Sequence, residues 1–510
     1  MLANEEMKAL LGDSRLHARI TTAEEAASWI KDGMTVGLSG FTRAGEPKAV
    51  PFALANRAKQ EPLKLNIITG ASLGSDVDRV LAEAGIVRRR LPYQSDDVMR
   101  QKINRGEILY IDQHLSHTAE WIREGVLPPI DVAIVEALAV TEEGLVIPTT
   151  SVGNTSLFVQ RARHVILEIN TAQPRALYGI HDVYEVGERG ARKPIPLVNP
   201  SDRIGLPGIP VDPDKIVAVV FTHQPDSPSP ITAPDAVTDQ IAANILQFLR
   251  NEVAAGRLTP RLAPLQAGIG SVANAVLYGL MHSEFHDLEF YSEVLQDAVF
   301  DLIDAGKVVF ASASAITLTE KKMQEVFRDF DAYRNRLLLR PQEISNHPEI
   351  VRRLGLISIN TALEADIYGN VNSTHVRGTR MMNGIGGSGD FARNARLAIF
   401  VTKSIAQKGA VSRIVPFVSH VDHTEHDVDV LVTEYGYADL RGLAPIERAP
   451  LIIERCAHPD YRPLLMEYYR EALKHGGHTP HVLEKAFSFH LAYERNGSMR
   501  TAAGIGVIGR

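Results

Sequence analysis

Residues 34–58 read MTVGLSGFTRAGEPKAVPFALANRA, and this stretch indicates the fold class. Residues 34–39 are a short apolar run that ends at Gly40, a pattern typical of a β-strand. Residues 41–45 predict a loop, and residues 47–58 predict a helix. A strand, a glycine-containing loop and a helix in this order form one α/β unit.

The same alternation continues along the chain in both directions. A helix is predicted at residues 22–32, where Thr22 and Glu25 have capping-box spacing. Its apolar face would carry Ala26, Trp29 and Ile30. Further strands are predicted at residues 65–69, 131–136, 164–170, 215–220, 288–291, 307–311, 397–401, 412–416 and 429–433. Short β-branched runs between helical patterns indicate a largely parallel sheet covered by helices.

Length and turn residues suggest how the chain is divided. A chain of 510 residues is long enough for two or three domains. Residues 224–235 read QPDSPSPITAPD, and the prolines in this run predict a linker. The predicted domains are therefore residues 1–223 and residues 236–510, the second of which opens with a helix over residues 236–250.

Composition excludes several classes of protein. The chain has 54 Lys+Arg and 61 Asp+Glu, and this formal charge of −7 argues against a nucleic-acid partner. No apolar run approaches the ~20 residues that span a bilayer, and the first residues lack a signal-peptide pattern. The single cysteine, Cys456, allows no intrachain disulfide and is interpreted as a small packed residue. We expect a cytoplasmic enzyme without a membrane partner.

Two glycine-rich segments are candidate ligand loops. Residues 381–390 read MMNGIGGSGD, and such a loop lets backbone N–H groups approach a phosphate or an oxyanion. This loop does not match a Walker A motif, because no Lys-Ser/Thr pair follows its last glycine. Residues 266–274, QAGIGSVAN, lead into an apolar helix whose N-terminus would favour an anion. A tight strand-to-helix turn explains residues 266–274 equally well.

Two glutamates follow predicted strands. Glu293 comes just after residues 288–291, where α/β folds place their ligand-facing loops. A carboxylate there can act as nucleophile or base, although a solvated or capping acid is the alternative. Glu434, at the end of residues 430–433, has a similar position and the same alternative.

A histidine-rich run suggests a metal site. Residues 419–427 read SHVDHTEHD, with His420, His423 and His426 three residues apart. This spacing drifts round a helix, and the HExxH order of a zinc protease is missing. We therefore predict no metal site.

Motifs distributed along nearly the whole chain carry a resemblance to a known family. They are SGFT at residues 39–42, TGAS at 69–72, PLQAGIG at 264–270, YSE at 291–293, QEISN at 342–346, EADIYG at 364–369, NGIGGSGDF at 383–391, SHVDH at 419–423 and TEYGYADLRG at 433–442. In this order they resemble the acetyl-CoA hydrolase/transferase family, which are class I CoA-transferases. The histidine-rich run is part of this resemblance, and the family needs no metal.

The resemblance implies a fold and an activity. The implied fold is two tandem CoA-transferase-type α/β domains with mainly parallel sheets, usually assembled as a homodimer. The implied reaction moves CoA between short-chain carboxylic acids, with succinyl-CoA and acetate as the first expectation. Acetyl-CoA hydrolysis and propionyl-CoA:succinate transfer are the alternatives. Coenzyme A enters as a substrate, and no tightly bound cofactor is implied.

The resemblance also assigns roles to residues. Glu293 would be the nucleophile that forms a glutamyl-CoA thioester. The Asn346 amide and the Gly387 N–H would stabilise one tetrahedral intermediate, and backbone N–H groups around Ile269 the other. The implied CoA-binding residues are Gly268, Ile269, Gly270, Ser271, Val272, Leu363, Gly386, Gly387 and Lys408.

Two regions depart from the family pattern. The family's CoA-contacting lysine falls on Gln407, and Lys408 would replace it by a one-residue displacement. Arg43 and Glu46 stand where relatives often have small or aromatic residues, which leaves the acyl-group preference open.

Overall fold

The computed structural model describes residues 4–229 and 234–504. Within them, the contacts divide the chain into two compact units. Among the described residues, the first unit comprises residues 4–229, 289–304 and 308–354, and the second comprises residues 234–288, 305–307 and 355–504. The segment around Glu293 therefore packs with the N-terminal part of the chain, although it follows the predicted linker in sequence. Residues 230–233 of that linker lie outside the described residues.

A seven-stranded parallel sheet forms the centre of the first unit. Its strands, in spatial order, are Ile216–Thr222, His164–Asn170, Val132–Ala137, Thr35–Leu38, Leu65–Ile68, Val87–Leu91 and Leu109–Tyr110. Apolar side chains of the central strands, including Val36, Ile134 and Ile166, are fully buried in one core cluster. A parallel sheet buried on both faces is what the short β-branched runs predict.

Helices and smaller strands complete the first unit. Its helices are Asn4–Lys8, Ala23–Ala27, Ala49–Arg57, Gly74–Glu83, Asp97–Asn104, Leu115–Arg123, Thr155–Arg161, Asp297–Asp304, Glu320–Arg328, Gln342–Ser345 and Pro348–Leu354. A second group of strands has the order Leu337–Leu339, Val308–Ala313 and Leu288–Tyr291. Two short sheets pair Val294–Leu295 with Ala315–Ile316, and Ala139–Val140 with Leu145–Ile147 and Ile209–Pro210.

The second unit is also built on a mainly parallel sheet. The strands Leu265–Ala267, Ile357–Thr361, Leu397–Val401 and Val430–Thr433 are parallel, and Gly436–Asp439 returns antiparallel to the last of them. Its helices are Ala236–Ala254, Ser271–Met281, Ser388–Ala392, Pro445–Cys456, Arg462–Leu473 and Ser488–Asn496. Its shorter strands are Glu364–Asp366, Val371–Asn372, His375–Val376, Arg380–Met381, Ile405–Ala406, Val411–Ser412 and Ile414–Val415. The predicted fold class, α/β with mainly parallel sheets, is confirmed.

The elements differ from prediction in several places, and the sheet strands Leu337–Leu339, Ile357–Thr361 and Gly436–Asp439 have no predicted counterpart. The first predicted helix is shorter, because it ends at Ala27 and leaves Trp29 42% exposed beyond it. The predicted strand at residues 412–416 divides into two short strands that pair with different partners. The arginine-rich strand Val87–Leu91 was not predicted, because its charges hide the apolar pattern.

Pairing explains how that arginine-rich strand is tolerated. Arg90 is fully buried, and its Nε donates to Asp78 Oδ1 at 3.1 Å. Its guanidinium also donates to Thr69 Oγ1 at 2.8 Å and to the Ala71 carbonyl at 3.0 Å. A buried charge is stable only when it is paired and hydrogen-bonded. Through these bonds Arg90 also holds the loop that follows the neighbouring strand Leu65–Ile68.

Across the described ranges 4–229 and 234–504, no helix combines the length and the apolar character that crossing a membrane would require.

Candidate active site

Glu293 lies between two strands of the first unit. It follows Leu288–Tyr291 and directly precedes Val294–Leu295. The Glu293 carbonyl accepts hydrogen bonds from the N–H groups of Ser314 at 2.9 Å and Ala315 at 3.1 Å. These contacts fix the backbone of Glu293 on the neighbouring strands, while its side chain stays half-buried.

Asn346 holds the Glu293 carboxylate. It caps the C-terminal end of the helix Gln342–Ser345 and is fully buried. Its Nδ2 donates a hydrogen bond to Glu293 Oε1 at 2.7 Å. The Tyr291 hydroxyl donates to the Ile344 carbonyl at 2.7 Å, so this short helix is tied to the strand that leads into Glu293. The structure thus brings together two of the predicted catalytic residues.

Burial changes the acidity of this carboxylate. The loss of solvent raises the pKa of Glu293 to about 7, and the hydrogen bond from Asn346 opposes this rise because it favours the anion. A carboxylate with a pKa near neutrality is partly protonated at neutral pH and is more basic than an exposed glutamate. The arrangement suits a nucleophile or a base.

A strained turn packs beside the Glu293 segment. Phe41 and Ala44 exchange backbone hydrogen bonds, and the two residues between them, Thr42 and Arg43, have φ of 49° and 68°. The Thr317 hydroxyl donates to the Thr42 carbonyl at 2.8 Å. Left-handed backbone at two non-glycine residues costs energy, and the packing around the turn must hold it in place.

A buried charge cluster, which no sequence motif indicates, lies behind this turn. Lys48 Nζ lies 2.6 Å from Glu136 Oε2 and 3.0 Å from Asp226 Oδ1. Glu46 is fully buried beside them, and neither of its carboxylate oxygens has a hydrogen-bond partner. Burial raises the pKa of Glu46 to about 8 and that of Glu136 to about 7, although Lys48 opposes both shifts.

A fourth buried acid completes the anchoring of this region. The Glu168 carboxylate accepts three backbone hydrogen bonds, of 2.7, 2.9 and 2.6 Å, from residues 48–50 at the start of the helix Ala49–Arg57. A negative charge at this end complements the helix dipole. Glu136 and Glu168 both interrupt apolar runs in the sequence, and an acid in such a run is the signal that could have indicated buried partners.

The remaining predicted site residues belong to the second unit. Gly268 donates its N–H to the Ile359 carbonyl at 3.0 Å, and Gly270 has a φ of 129°. The helix Ser271–Met281 begins directly after it, and Val272 is buried in its first turn. Ile269 is 48% exposed. The expected strand-to-helix turn is present, with its first helical amides at residues 271 and 272.

The glycine loop at residues 384–389 makes a tight turn. Gly386 has a φ of 58°, which favours glycine, and Gly387 precedes the short helix Ser388–Ala392. The Ser388 hydroxyl donates to the Ile385 carbonyl at 2.7 Å. Leu363, another predicted contact, is half-buried and donates its N–H to the Asn372 carbonyl at 2.8 Å.

Gln407 and Lys408, the two candidates for the CoA-contacting residue, lie in one turn but have different surroundings. Both residues have left-handed backbone, with φ of 48° and 55°, between the strands Ile405–Ala406 and Val411–Ser412. The Gln407 side chain accepts a hydrogen bond from the Tyr493 hydroxyl. Lys408 is exposed at the tip of the turn.

Other residues that the sequence singled out have structural partners. His420 Nε2 lies 3.3 Å from Asp422 Oδ1, and in residues 4–229 and 234–504 no three His, Cys, Asp or Glu side chains form a metal-binding group. Glu434 accepts hydrogen bonds from the Ser404 N–H at 2.9 Å and the Ser404 hydroxyl at 2.5 Å. Cys456 is fully buried, and burial raises the pKa of its thiol to about 12.

Known structures support the fold. RipA from Yersinia pestis has 25% sequence identity and a TM-score of 0.69, with 91% of this chain and 99% of that chain covered. A 4-hydroxybutyrate CoA-transferase from Porphyromonas gingivalis has 23% identity and a TM-score of 0.61, with 92% and 100% covered. At these identities the likeness concerns the fold.

Sequence relatives are closer. A succinyl-CoA:acetate CoA-transferase of Clostridium kluyveri is 53% identical over 95% of this chain and 91% of its own. A propanoyl-CoA:succinate CoA transferase of Escherichia coli is 44% identical over 94% of this chain and 98% of its own. An acetyl-CoA hydrolase of Candida glabrata is 43% identical over 95% of each chain.

Family models match both parts of the sequence. Residues 8–221 match the acetyl-CoA hydrolase/transferase N-terminal domain, and residues 323–469 match the C-terminal domain of the same family. The family expected from the ordered motifs is confirmed. This chain belongs to the acetyl-CoA hydrolase/transferase family and is an enzyme of the CoA-transferase type.

Proposed function

We propose that this enzyme transfers CoA between short-chain carboxylic acids, with succinyl-CoA as donor and acetate as acceptor, through a thioester on Glu293. The observation that carries the proposal is the 2.7 Å hydrogen bond from Asn346 Nδ2 to Glu293 Oε1 on a half-buried carboxylate. The choice of substrates rests on the 53% identity to the succinyl-CoA:acetate CoA-transferase, against 44% and 43% for the relatives with other activities.

The first half-reaction consists of two displacements. A Glu293 carboxylate oxygen attacks the thioester carbonyl of succinyl-CoA, and the CoA thiolate leaves, which gives a succinyl-glutamyl anhydride. The thiolate then attacks the glutamyl carbonyl of this anhydride. Succinate leaves, and Glu293 becomes a glutamyl-CoA thioester. Because the CoA is moved from one acyl carbon to another, the thioester energy is retained.

The second half-reaction runs the same steps in reverse with acetate. The acetate carboxylate attacks the glutamyl-CoA carbonyl, the thiolate leaves, and an acetyl-glutamyl anhydride forms. The thiolate then attacks the acetyl carbonyl, which releases acetyl-CoA and restores the Glu293 carboxylate. No net proton is transferred, since every nucleophile and leaving group in the cycle is an anion.

The Asn346 contact assigns separate tasks to the two carboxylate oxygens. If Oε1 stays with Asn346, then Oε2 attacks the substrate and Oε1 becomes the carbonyl oxygen of the anhydride and of the thioester. Negative charge develops on Oε1 whenever the glutamyl carbonyl is attacked. The Asn346 amide is then already in place to stabilise this charge, as a preorganised oxyanion donor.

The other site residues receive their roles from the family resemblance. Gly387 N–H is proposed as a second donor to the same intermediate, and the N–H groups around Ile269 as donors to the acyl oxygen. Gly268, Gly270, Ser271, Val272, Leu363, Gly386 and Lys408 are proposed to contact CoA. Coenzyme A is proposed as substrate only. A homodimer in the cytoplasm completes the proposal, and light scattering on purified protein tests the dimer.

One assay tests transfer against hydrolysis. Purified protein is incubated with succinyl-CoA, with and without acetate, and acetyl-CoA and free CoA are measured separately. Acetyl-CoA formed only with acetate, with little free thiol, supports transfer. Equal release of free CoA with and without acetate means that the enzyme is a hydrolase. A Glu293→Gln variant that still transfers CoA would overturn the role of Glu293.

A further inference from the structure

We propose that His423 is a positioning residue, which holds the glycine loop at residues 384–389 through the hydroxyl of Ser388. The inference deepens the proposed function, since it rests on the role given there to the Gly387 N–H. It also gives a task to the histidine-rich run, which neither metal binding nor the covalent chemistry explains.

The hydrogen bonds at Ser388 have a defined direction. Its Oγ donates to the Ile385 carbonyl at 2.7 Å, and this bond closes the turn that contains Gly387. His423 Nε2 lies 3.1 Å from the same Oγ. A hydroxyl has a single proton, and here the Ile385 carbonyl takes it. Ser388 Oγ therefore accepts from His423, and Nε2 is the nitrogen that carries the proton.

His423 is itself held by rigid elements. Its side chain is buried, and its ring packs on the Phe400 ring at a centroid distance of 4.7 Å. Phe400 belongs to the sheet strand Leu397–Val401. The backbone of His423 also exchanges hydrogen bonds with Val371, of 2.8 and 3.0 Å. The position of the imidazole, and hence of Ser388, is set by the sheet.

Asp422, which precedes His423 in the chain, binds a second loop at residues 373 and 374. Asp422 Oδ2 accepts from the Ser373 N–H at 2.7 Å, and Asp422 also accepts from Thr374 Oγ1. Ser373 Oγ lies 3.3 Å from His423 Nε2. His423 and Asp422 therefore join the turn around Ser388 to residues 373 and 374. These side chains form a hydrogen-bonded clasp between two loops.

The glycine loop requires such a clasp. Glycine has more backbone freedom than any other residue, so a loop with four glycines in six residues does not hold one peptide N–H in a fixed direction by itself. An oxyanion donor acts only when it is aimed at the developing charge, and a misplacement of about 1 Å can cost ~10²-fold in rate. Because Ser388 directly follows Gly387, its hydroxyl is well placed to set the direction of that N–H.

The test compares variants that remove the donor, the acceptor or both. His423→Phe keeps a ring against Phe400 without a donor, Ser388→Ala removes the hydroxyl, and His423→Gln restores an N–H donor. In the succinyl-CoA and acetate assay, we expect kcat to fall about 10- to 100-fold in His423→Phe and in Ser388→Ala, with KM for succinyl-CoA unchanged. The double variant should be no slower than the singles, and His423→Gln should recover most of the rate.

Two further measurements separate positioning from folding. Thermal unfolding reports the fold, and mass spectrometry after incubation with succinyl-CoA alone counts the sites that gain the mass of CoA minus water. The matched control is His426→Phe, an exposed histidine in the same run, which should keep the wild-type kcat. Ser388→Ala provides the test if His423→Phe fails to fold.

Several results would overturn the proposal. The first is an unchanged kcat in a folded His423→Phe variant, and the second is losses of kcat that add up in the double variant. The third is a single variant whose melting temperature falls while its kcat per adduct-forming site stays normal. The Glu293→Gln variant keeps the two proposals distinct. If it forms the CoA adduct, the proposed function itself is wrong. If it does not, and His423→Phe still turns over normally, only the positioning role fails.

Discussion

Asn346 Nδ2 donates to Glu293 Oε1 across 2.7 Å, and these two residues are 53 positions apart in the sequence. The contact depends on a short helix whose Ile344 carbonyl is held by the Tyr291 hydroxyl. The nucleophile proposed for this enzyme is thus oriented by a neighbour that two separate elements keep in place.

Removal of the Asn346 amide should slow the reaction. We expect Asn346→Ala to lower kcat by about 10²- to 10³-fold, the usual cost of one oxyanion donor, with a much smaller change in KM for acyl-CoA. Steady-state kinetics with succinyl-CoA and acetate measures both. Exposed Asn56, replaced by Ala, is the control for a general loss of amide side chains. A change confined to KM would argue for a binding role.

The rate should depend on pH through Glu293. Burial raises the pKa of Glu293 to about 7, and the nucleophile is the anion. The value of kcat/KM should therefore be low below pH 7 and rise as the pH increases through about 7. The Asn346 hydrogen bond favours the anion, hence Asn346→Ala should move this inflection to higher pH. A pH-rate profile of both proteins checks the sign. An inflection near pH 4.5 in the wild type would show that Glu293 behaves as an exposed acid.

Lys408, rather than Gln407, should matter for CoA. The Gln407 side chain accepts a hydrogen bond from the Tyr493 hydroxyl, while Lys408 is exposed at the tip of the turn. We expect Lys408→Ala to raise KM for acyl-CoA about two- to fivefold at low salt, the range of an exposed ion pair, and this effect should shrink as salt increases. Gln407→Ala is the matched comparison. Equal effects in both variants, or none in Lys408→Ala, would count against this assignment.

Glu46 should make the fold sensitive to alkaline pH. Burial raises its folded pKa to about 8, above the value of about 4.5 in the unfolded chain, so its stabilising contribution is present at low pH and is lost as pH rises through about 8. Glu46→Gln keeps the shape without the charge, and should raise stability at pH 9 by a few kcal/mol, since each pKa unit between the folded and unfolded states is worth about 1.4 kcal/mol.

Thermal unfolding at pH 5 and pH 9 measures this difference. At pH 5 the variant should differ little from wild type, because Glu46 is already protonated there. Glu83→Gln, at an exposed position, controls for the loss of one carboxylate. Equal melting temperatures for wild type and Glu46→Gln at pH 9 would mean that Lys48 stabilises the ionised form of Glu46 enough to remove the cost of its burial.

Local sequence patterns predicted most of the sheet strands. Strands such as Leu65–Ile68, His164–Asn170 and Leu397–Val401 were read from runs of apolar residues, because side-chain alternation and turn residues act over a few positions. The strand Val87–Leu91 was missed, since its arginines look solvated until Asp78 is placed beside Arg90.

The sequence by itself determined the α/β class, the family and the identity of Glu293 as a candidate, because these depend on residue order. Only the tertiary structure decided which groups meet. The Asn346 contact, the cluster around Lys48 and the clasp between His423 and Ser388 each join residues 35 to 178 positions apart. Chain topology sets those distances and burial sets the pKa values, and neither quantity is contained in a local pattern.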